Sequence, residues 1–242
     1  MGDGPVGERA VGEKGRRPFG AVVFDLDGTL VDTEALHLAA SHHAARVVLG
    51  GDVSAEVARA SLGRPLPVSM AVIAGGTGRD PAAAAQVAPD LVAAFLAYYG
   101  AHQADLIRPF PGVPAMLAEL RRRDYPLALL SNKLRDWGQA ELDSVGLAPL
   151  LDVAIFVEDM PEPKPAAAAL DPVLAALGLA ADRILLIGDG AADVGSARAA
   201  GAIAAVALWG TAGRESAARE ALLALGAAYA FERPADVLTY CP

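Results

Sequence analysis

The chain has 242 residues, with 20 lysines and arginines against 29 aspartates and glutamates, which gives a formal net charge of −9. This acidic balance argues against a nucleic-acid partner, because phosphate backbones are bound by concentrated basic surfaces. Uninterrupted apolar runs such as 202–209 are all far shorter than the roughly 18 residues that span a bilayer. The start of the sequence has no apolar stretch of signal-peptide length, and Cys241 is the only cysteine. We therefore expect a cytoplasmic protein with no membrane partner and no internal disulfide.

Short apolar segments alternate with helical ones along most of the chain. Residues 1–17, rich in glycine and charge, are expected to form a mobile tail. Strands are predicted at 21–24, 127–130, 153–157, 183–187 and 202–208. Helices are predicted between and after them at 113–123, 136–145, 172–178 and 193–200. Uniformly apolar strands flanked by helices are typical of a parallel sheet covered on both faces. The sequence therefore predicts a doubly wound α/β core formed by residues 18–33 and 108–242.

Residues 34–107 interrupt this alternation. Alanine-rich stretches with helical character occupy 34–49, 54–62, 66–74 and 83–101. In the last of them Leu91, Phe95 and Tyr98 recur at helical spacing. We expect an all-helical cap domain, inserted directly after the first strand, that lies over one edge of the sheet. Such lids exclude water and select the substrate.

The first predicted strand runs into the sequence Asp25-Leu26-Asp27-Gly28-Thr29. The period of two in extended chain sends Asp25 and Asp27 to the same side, and Gly28 permits a tight turn after them. Two carboxylates held this close need a cation or a shared proton. The pair is therefore a candidate for chemistry rather than for packing.

Other polar residues follow later strands of the predicted sheet: Ser131 and Asn132 after 127–130, and Asp189 and Asp193 after 183–187. Lys164 stands between two prolines, which restrict the backbone around it. Taken singly, these residues also fit ordinary roles: a turn or N-cap, a loop lysine, and an acid at a helix N-terminus. Because open α/β sheets bind ligands at the carboxyl ends of their strands, we expect them to meet. An all-oxygen set without nearby cysteine or clustered histidine favours Mg²⁺ over zinc.

In this order the segments resemble the four motifs of the haloacid dehalogenase superfamily, over about residues 20–238. The matching positions are Asp25-x-Asp27-Gly-Thr, Ser131, Lys164 and Gly188-Asp189-x-x-x-Asp193. The resemblance implies a Rossmann-like core, a bound magnesium ion and phosphoryl transfer through an aspartyl-phosphate. One position departs from the pattern, since Gly190 stands where the family usually has serine or threonine.

The resemblance also implies a role for each of these residues. Asp25 is the nucleophile and a metal ligand, and Asp27 is the acid and base, bound to the metal through its backbone carbonyl. Ser131 and Lys164 hold the phosphoryl oxygens. Asp189 is a metal ligand and Asp193 an outer or water-mediated one.

The helical insert resembles the branch that contains phosphoglycolate phosphatases, β-phosphoglucomutases and 2-haloacid dehalogenases. The dehalogenases lack an acid at the position of Asp27. His37 and Arg64 resemble cap residues that face substrate in sugar-phosphate members, although helix packing and a surface loop also explain them. The mutases resemble Glu-Asp-Ser at the fourth motif, whereas this chain has Gly188 before Asp189. The segment 209–215 resembles phosphoglycolate phosphatase-like proteins.

These observations predict a magnesium-dependent phosphatase that acts on a small phosphorylated metabolite, either phosphoglycolate-like or a sugar phosphate. Thr33, His37, Arg64 and Asn132 are the candidate substrate-binding residues. A phosphosugar mutase and a catalytically silent module that binds a phosphorylated ligand are the alternatives. We expect a monomer or a weak homodimer.

Overall fold

The computed structural model describes residues 17–62, 66–211 and 215–242. It contains two sheets, whose strands are β1 Ala21–Phe24, β2 Val31–Asp32, β3 Arg108–Pro109, β4 Leu127–Leu130, β5 Val153–Ile155, β6 Ile184–Gly188, β7 Ile203–Ala207 and β8 Tyr229–Phe231. The larger sheet has the order β5-β4-β1-β6-β7-β8, with every neighbouring pair parallel. This is the predicted doubly wound α/β core.

The buried centre of the large sheet explains why its strands could be predicted. Strands β1, β4 and β6 are buried at every position, so the sequence of each is a continuous apolar run. The predicted strands 21–24 and 127–130 have the observed bounds, and the other predicted strands differ from the observed ones by one or two residues. Edge strand β8 was missed, because it has only three residues, and two of them, Tyr229 and Ala230, are only partly buried.

Helices cover the core and fill the insert. Their bounds are α1 Glu34–Ala44, α2 Ala55–Ala60, α3 Leu66–Gly75, α4 Pro81–Leu106, α5 Val113–Arg122, α6 Arg135–Ser144, α7 Asp171–Leu177, α8 Ala191–Ala200, α9 Glu215–Ala224 and α10 Val237–Tyr240. A π-helical turn, Ala45–Leu49, continues α1. The predicted core helices are confirmed to within two residues at each end, whereas α9 and α10 were not predicted.

The insert leaves and re-enters the core at one place. Strands β2 and β3 pair antiparallel there, with Val31 opposite Pro109 and Asp32 opposite Arg108. Helices α1 to α4 lie between these two strands in the chain, and both α1 and α3 pack on α4. The helical content of the insert is thus as expected, and its limits as a separate domain, 34–107, stay a prediction.

Helix α4 is the longest of the insert. The Asp80 side chain caps it by accepting hydrogen bonds from the backbone N–H groups of Ala82 and Ala83, both at 3.0 Å. Its buried stripe consists of Leu91, Phe95 and Tyr99, so the third apolar position lies one residue later than predicted. By length and composition alone α4 could cross a membrane, but one such helix is weak evidence.

The C-terminal segment that contains Cys241 is hydrogen-bonded to the core. The Arg123 guanidinium donates hydrogen bonds to the backbone carbonyls of Leu238 and Cys241, at 2.7 and 2.6 Å. The Cys241 thiol is fully buried, and this burial raises its pKa to about 12.

We therefore expect the single thiol to be inert in the folded protein. At pH 8, labelling by a disulfide reagent such as DTNB should be at least about 100-fold slower in buffer than in guanidinium chloride, because the reactive thiolate is neither formed nor accessible. Arg123→Met, which releases the terminus, should speed labelling of the folded protein. Equal rates in buffer and in denaturant would contradict this prediction.

Candidate active site

The functional side chains converge at the carboxyl edge of the large sheet, as predicted. Asp25 follows β1, and its backbone N–H donates to the carbonyl of Ile187 in the neighbouring strand β6 at 2.9 Å. Ser131 follows β4 and donates in the same way to Ile155 of β5 at 3.0 Å. Asp189 follows β6 directly. The sheet register therefore brings these residues side by side.

Three carboxylates form a compact acidic cluster at this edge. One oxygen from each of Asp25, Asp189 and Asp193 lies within 4.8 Å of the others. Like charges at about 4 Å repel by roughly 4 kcal/mol at an effective dielectric constant near 20. Burial, followed by this repulsion, raises the pKa of Asp189 well above its ordinary value. The cluster could hold a metal ion, and its donors are all oxygen.

Lys164 supplies a buried positive charge to the same cluster. Its Nζ lies 2.9 Å from Asp25 Oδ1 and 2.6 Å from Asp193 Oδ1, and it donates to the carbonyl of Leu130 at 2.8 Å. Burial would lower the pKa of Lys164, but the carboxylates of Asp193 and Asp25 outweigh burial and raise it. The ammonium therefore stays charged. The sequence also allowed an ordinary loop lysine here, but the Lys164 side chain is only 2% exposed.

Asn132 fixes the backbone of Lys164. Its amide nitrogen donates to the Lys164 carbonyl, and its amide oxygen accepts from the Lys164 N–H, both at 2.9 Å. The predicted contact of Asn132 with substrate stays a prediction, since the structure shows its amide engaged with Lys164.

Gly28 makes room for Asp189. It has φ +72°, and a Cβ at this position would lie 2.5 Å from the Asp189 carboxylate. Gly210 approaches the same turn from the other side, where an added Cβ would lie 1.6 Å from the Gly28 carbonyl oxygen. The glycine in the Asp-x-Asp-Gly motif thus serves both the turn and the packing of a metal-ligand candidate.

Asp27 belongs to a separate environment. Its Oδ1 accepts from the Thr33 hydroxyl at 2.7 Å and from Lys133 Nζ at 2.8 Å. Burial would raise the pKa of Asp27, but the Lys133 charge and the two hydrogen bonds lower it overall. The Asp27 side chain is 40% exposed.

Sequence reasoning missed Lys133 and two of its partners. The Lys133 ammonium also contacts Tyr99 OH at 3.1 Å and Glu141 Oε1 at 2.5 Å. Glu141 is fully buried on α6, and burial and then the charge of Asp27 raise its pKa to about 7. A glutamate on the buried face of a helix was the signal available in the sequence.

The remaining candidates lie at different depths. Ser131 is buried, and its Oγ accepts from the Lys133 backbone N–H at 3.3 Å. His37 is hydrogen-bonded to Ser61 Oγ at 3.2 Å and packs edge-on against Phe95, and burial lowers its pKa to about 4. Arg64 lies outside the described residues. The proposed substrate contacts of Thr33 and His37 stay predictions.

This geometry agrees with the comparisons to known proteins. The family model for haloacid dehalogenase-like hydrolases matches residues 22–207. The chain belongs to this family. A phosphoglycolate phosphatase of Caulobacter vibrioides is 34% identical over 185 residues, which are 74% of this chain and 75% of that protein. Pyrophosphatase PpaX of Halalkalibacterium halodurans is 28% identical over 76% of this chain and 81% of its own.

Solved structures of haloacid dehalogenase-like hydrolases share the whole architecture. A crystal structure described as a predicted phosphoglycolate phosphatase from Haemophilus somnus superposes with a TM-score of 0.80. It covers 93% of this chain and 99% of its own, at 23% identity, so this likeness concerns the fold. The prediction of a phosphatase of this family is confirmed by the relatives taken together.

The acidic cluster predicts how metal and pH act on stability. Burial, opposed by Lys164 and reinforced by Asp193, raises the pKa of Asp25 to about 7, from 3.8. Without metal, the folded protein holds a proton that the unfolded chain has lost, so the free energy of unfolding should fall as pH rises from about 4 to 7. The slope for one proton is at most about 1.4 kcal/mol per pH unit.

The measurement is denaturant unfolding across this pH range in EDTA and in MgCl₂. Magnesium at about 100 times its Kd should add about 2.7 kcal/mol and flatten the slope, because the cation favours ionised carboxylates. Asp25→Asn should flatten the slope in EDTA. Equal curves in MgCl₂ and in NaCl of the same ionic strength would contradict a metal site here.

Proposed function

We propose that this hydrolase removes phosphate from a small phosphorylated metabolite, with Mg²⁺ bound and with Asp25 as nucleophile. The observation that carries the proposal is the separation of the two aspartates of one motif between two lysines. Asp25 lies against buried Lys164, whereas Asp27 lies against Lys133 and is 40% exposed. This gives one carboxylate to attack phosphorus and another to handle protons.

The residues at the sheet edge fit magnesium. Their donors are carboxylate oxygens, which Mg²⁺ prefers. Burial first, and then neighbouring negative charge, raises the pKa of Asp25 and of Asp189, and a cation would relieve that negative charge. Asp25, Asp189 and the Asp27 carbonyl would hold the ion, with Asp193 outside them. When bound, it neutralises phosphoryl oxygens and holds them near Asp25.

In the first step, an Asp25 carboxylate oxygen attacks phosphorus as the bond to the leaving oxygen breaks. Lys164, 2.9 Å from Asp25, favours its ionised form and is close enough to neutralise the phosphoryl group. Because the pKa of Asp27 is lowered, Asp27 takes up a proton from solvent before this step and then gives it to the leaving oxygen. The leaving group departs as an alcohol from an ester, or as phosphate from an anhydride. An aspartyl-phosphate and an ionised Asp27 remain.

In the second step, Asp27 takes a proton from water while the water oxygen attacks phosphorus. The bond to Asp25 breaks, inorganic phosphate leaves, and both aspartates return to their starting states. Lys133 and Thr33 stabilise the ionised form of Asp27 that accepts this proton. The cycle therefore needs no proton carrier beyond Asp27 and water.

The relatives support a small substrate. Their printed names give phosphoglycolate and pyrophosphate, which both place a second anionic group beside the phosphoryl group. We extend this to the present chain: a compact phosphate ester or anhydride enters between the helical insert and the sheet edge.

The test is phosphate release from phosphoglycolate, hexose phosphates, nucleotides and pyrophosphate, with and without MgCl₂. We expect one class to be preferred and all release to require the metal. Asp25→Asn should lower kcat by about 10³-fold or more, as loss of a nucleophile does. Asp182→Asn, an exposed acid just before β6 at its opposite end, should leave kcat unchanged.

Other outcomes would identify the alternatives. Isomerisation of a sugar 1-phosphate without net phosphate release would indicate a mutase. Tight binding of a phosphorylated compound that Asp25→Asn does not alter, with no turnover of any ester, would indicate a binding module.

A further inference from the structure

The mechanism above uses only Lys133 of a buried polar cluster beside Asp27. The cluster consists of Lys133, which follows β4, Glu141 on α6 and Tyr99 on α4 of the insert. Lys133 Nζ contacts Asp27, Tyr99 and Glu141 at 2.8, 3.1 and 2.5 Å, and Tyr99 OH donates to Glu141 Oε1 at 2.8 Å. We call these three residues the lysine cluster.

We propose that Lys133 is a positioning residue that aims the Asp27 carboxyl at the leaving-group oxygen, and that Glu141 and Tyr99 hold Lys133 in place. The inference rests on the proposed phosphatase function. It goes beyond that function in assigning part of proton delivery to residues outside the four motifs, one of them on the insert.

The first argument is which oxygen of Asp27 remains available. Thr33 and Lys133 both donate to Oδ1. Among the described residues, no hydrogen bond or ion pair uses Oδ2. A carboxylic acid donates only through the oxygen that carries its proton. Two donors on Oδ1 therefore direct the proton to Oδ2 of this side chain, which is 40% exposed.

The second argument is that Lys133 has no freedom left. An ammonium group has three N–H donors, and those of Lys133 have three acceptors: Asp27, Tyr99 and Glu141. Its side chain is 16% exposed, and Glu141 behind it is 0% exposed. Because Glu141 and Tyr99 fix the position of the Lys133 ammonium, they also fix the position of the Asp27 carboxylate that is bound to it.

The third argument is charge. When Asp27 gives its proton to the leaving oxygen, the O–H bond forms as the P–O bond breaks, and the charge remains on the Asp27 carboxylate. Lys133 and the Thr33 hydroxyl already face that carboxylate. The lysine cluster thus stabilises the product of proton transfer without having to reorganise.

Among the described residues of the insert, Tyr99 is the one hydrogen-bonded to Lys133. Its ring packs edge-on against Trp137 of α6, with centroids 5.7 Å apart, and Gly100 lets the two helices approach, since a Cβ there would lie 3.0 Å from Trp137. Seating α4 on α6 therefore completes the lysine cluster. Proton delivery is tied to the position of the helix that covers the site.

The test compares two leaving groups. The 4-nitrophenolate of p-nitrophenyl phosphate departs without a proton, whereas the alkoxide of phosphoglycolate needs one. The readout is kcat/KM, which reports steps up to departure of the leaving group. For Lys133→Met, we expect kcat/KM for phosphoglycolate to fall by about 100-fold, the scale of general acid catalysis, and that for p-nitrophenyl phosphate by a few-fold at most.

Two variants separate positioning from folding. Lys133→Met leaves Glu141 as a buried unpaired charge, so the double variant with Glu141→Gln keeps the test valid if the single one unfolds. Tyr99→Phe should give a smaller loss, again selective for phosphoglycolate. Tyr98→Phe, which removes the neighbouring hydroxyl of α4, should change neither substrate.

Equal losses on both esters, or no loss on either, would overturn the role of Lys133 while leaving the phosphatase proposal intact. Absence of phosphate release by the wild-type protein from every phosphate compound of the screen described above, and from p-nitrophenyl phosphate, would overturn the proposed function and this inference with it.

Discussion

Negative charge concentrated at one edge of the sheet is the constraint on which this structure depends. Asp25, Asp189 and Asp193 crowd together because strands β1 and β6 are neighbours and end at the same level. A buried cluster of this kind persists only with positive charge beside it. Lys164 supplies that charge through its contacts with Asp25 and Asp193, and its backbone is fixed by Asn132. Three carboxylates face this one ammonium, so the cluster could also hold a cation. The sheet topology, the acidic cluster and the buried lysine therefore form one electrostatic arrangement.

Much of this arrangement could be predicted from the sequence, because it is encoded locally. Central strands buried on both faces appear as apolar runs, and a polar residue directly after such a run must lie at the sheet edge. Asp25, Ser131 and Asp189 were placed in this way. The weaker elements were missed where burial is partial, as in β8, or where alanine and charged residues give little pattern, as in α9.

The lysine cluster could not be found by the same reasoning, because its members come from three elements that only the fold brings together. Tyr99 and Glu141 are 42 residues apart. In the sequence, α4 precedes the point where the chain re-enters the core, and α6 follows it. Lys133 comes directly after Ser131 and Asn132 in the same loop, and the sequence gives it no separate role. The sequence did contain one clue, an acid at position 141 among residues that α6 buries. An acid on a buried helix face needs a partner, although its identity depends on tertiary structure.

The two lysines explain how a single motif can contain groups with opposite tasks. Asp25 and Asp27 are two residues apart on one chain, and burial, Asp193 and the charge of Asp27 all raise the pKa of Asp25. Each carboxylate nevertheless has its own ammonium, at 2.9 and 2.8 Å, and Asp27 is the more exposed of the two, at 40% against 15%. Lys164 comes from the core and depends on nothing in the insert, whereas Lys133 depends on Tyr99 of α4. In the mechanism that we propose, residues of the core alone place the nucleophile Asp25, whereas the placement of Asp27 also needs Tyr99 of the insert. The two tasks of one motif are thus supported by different parts of the chain.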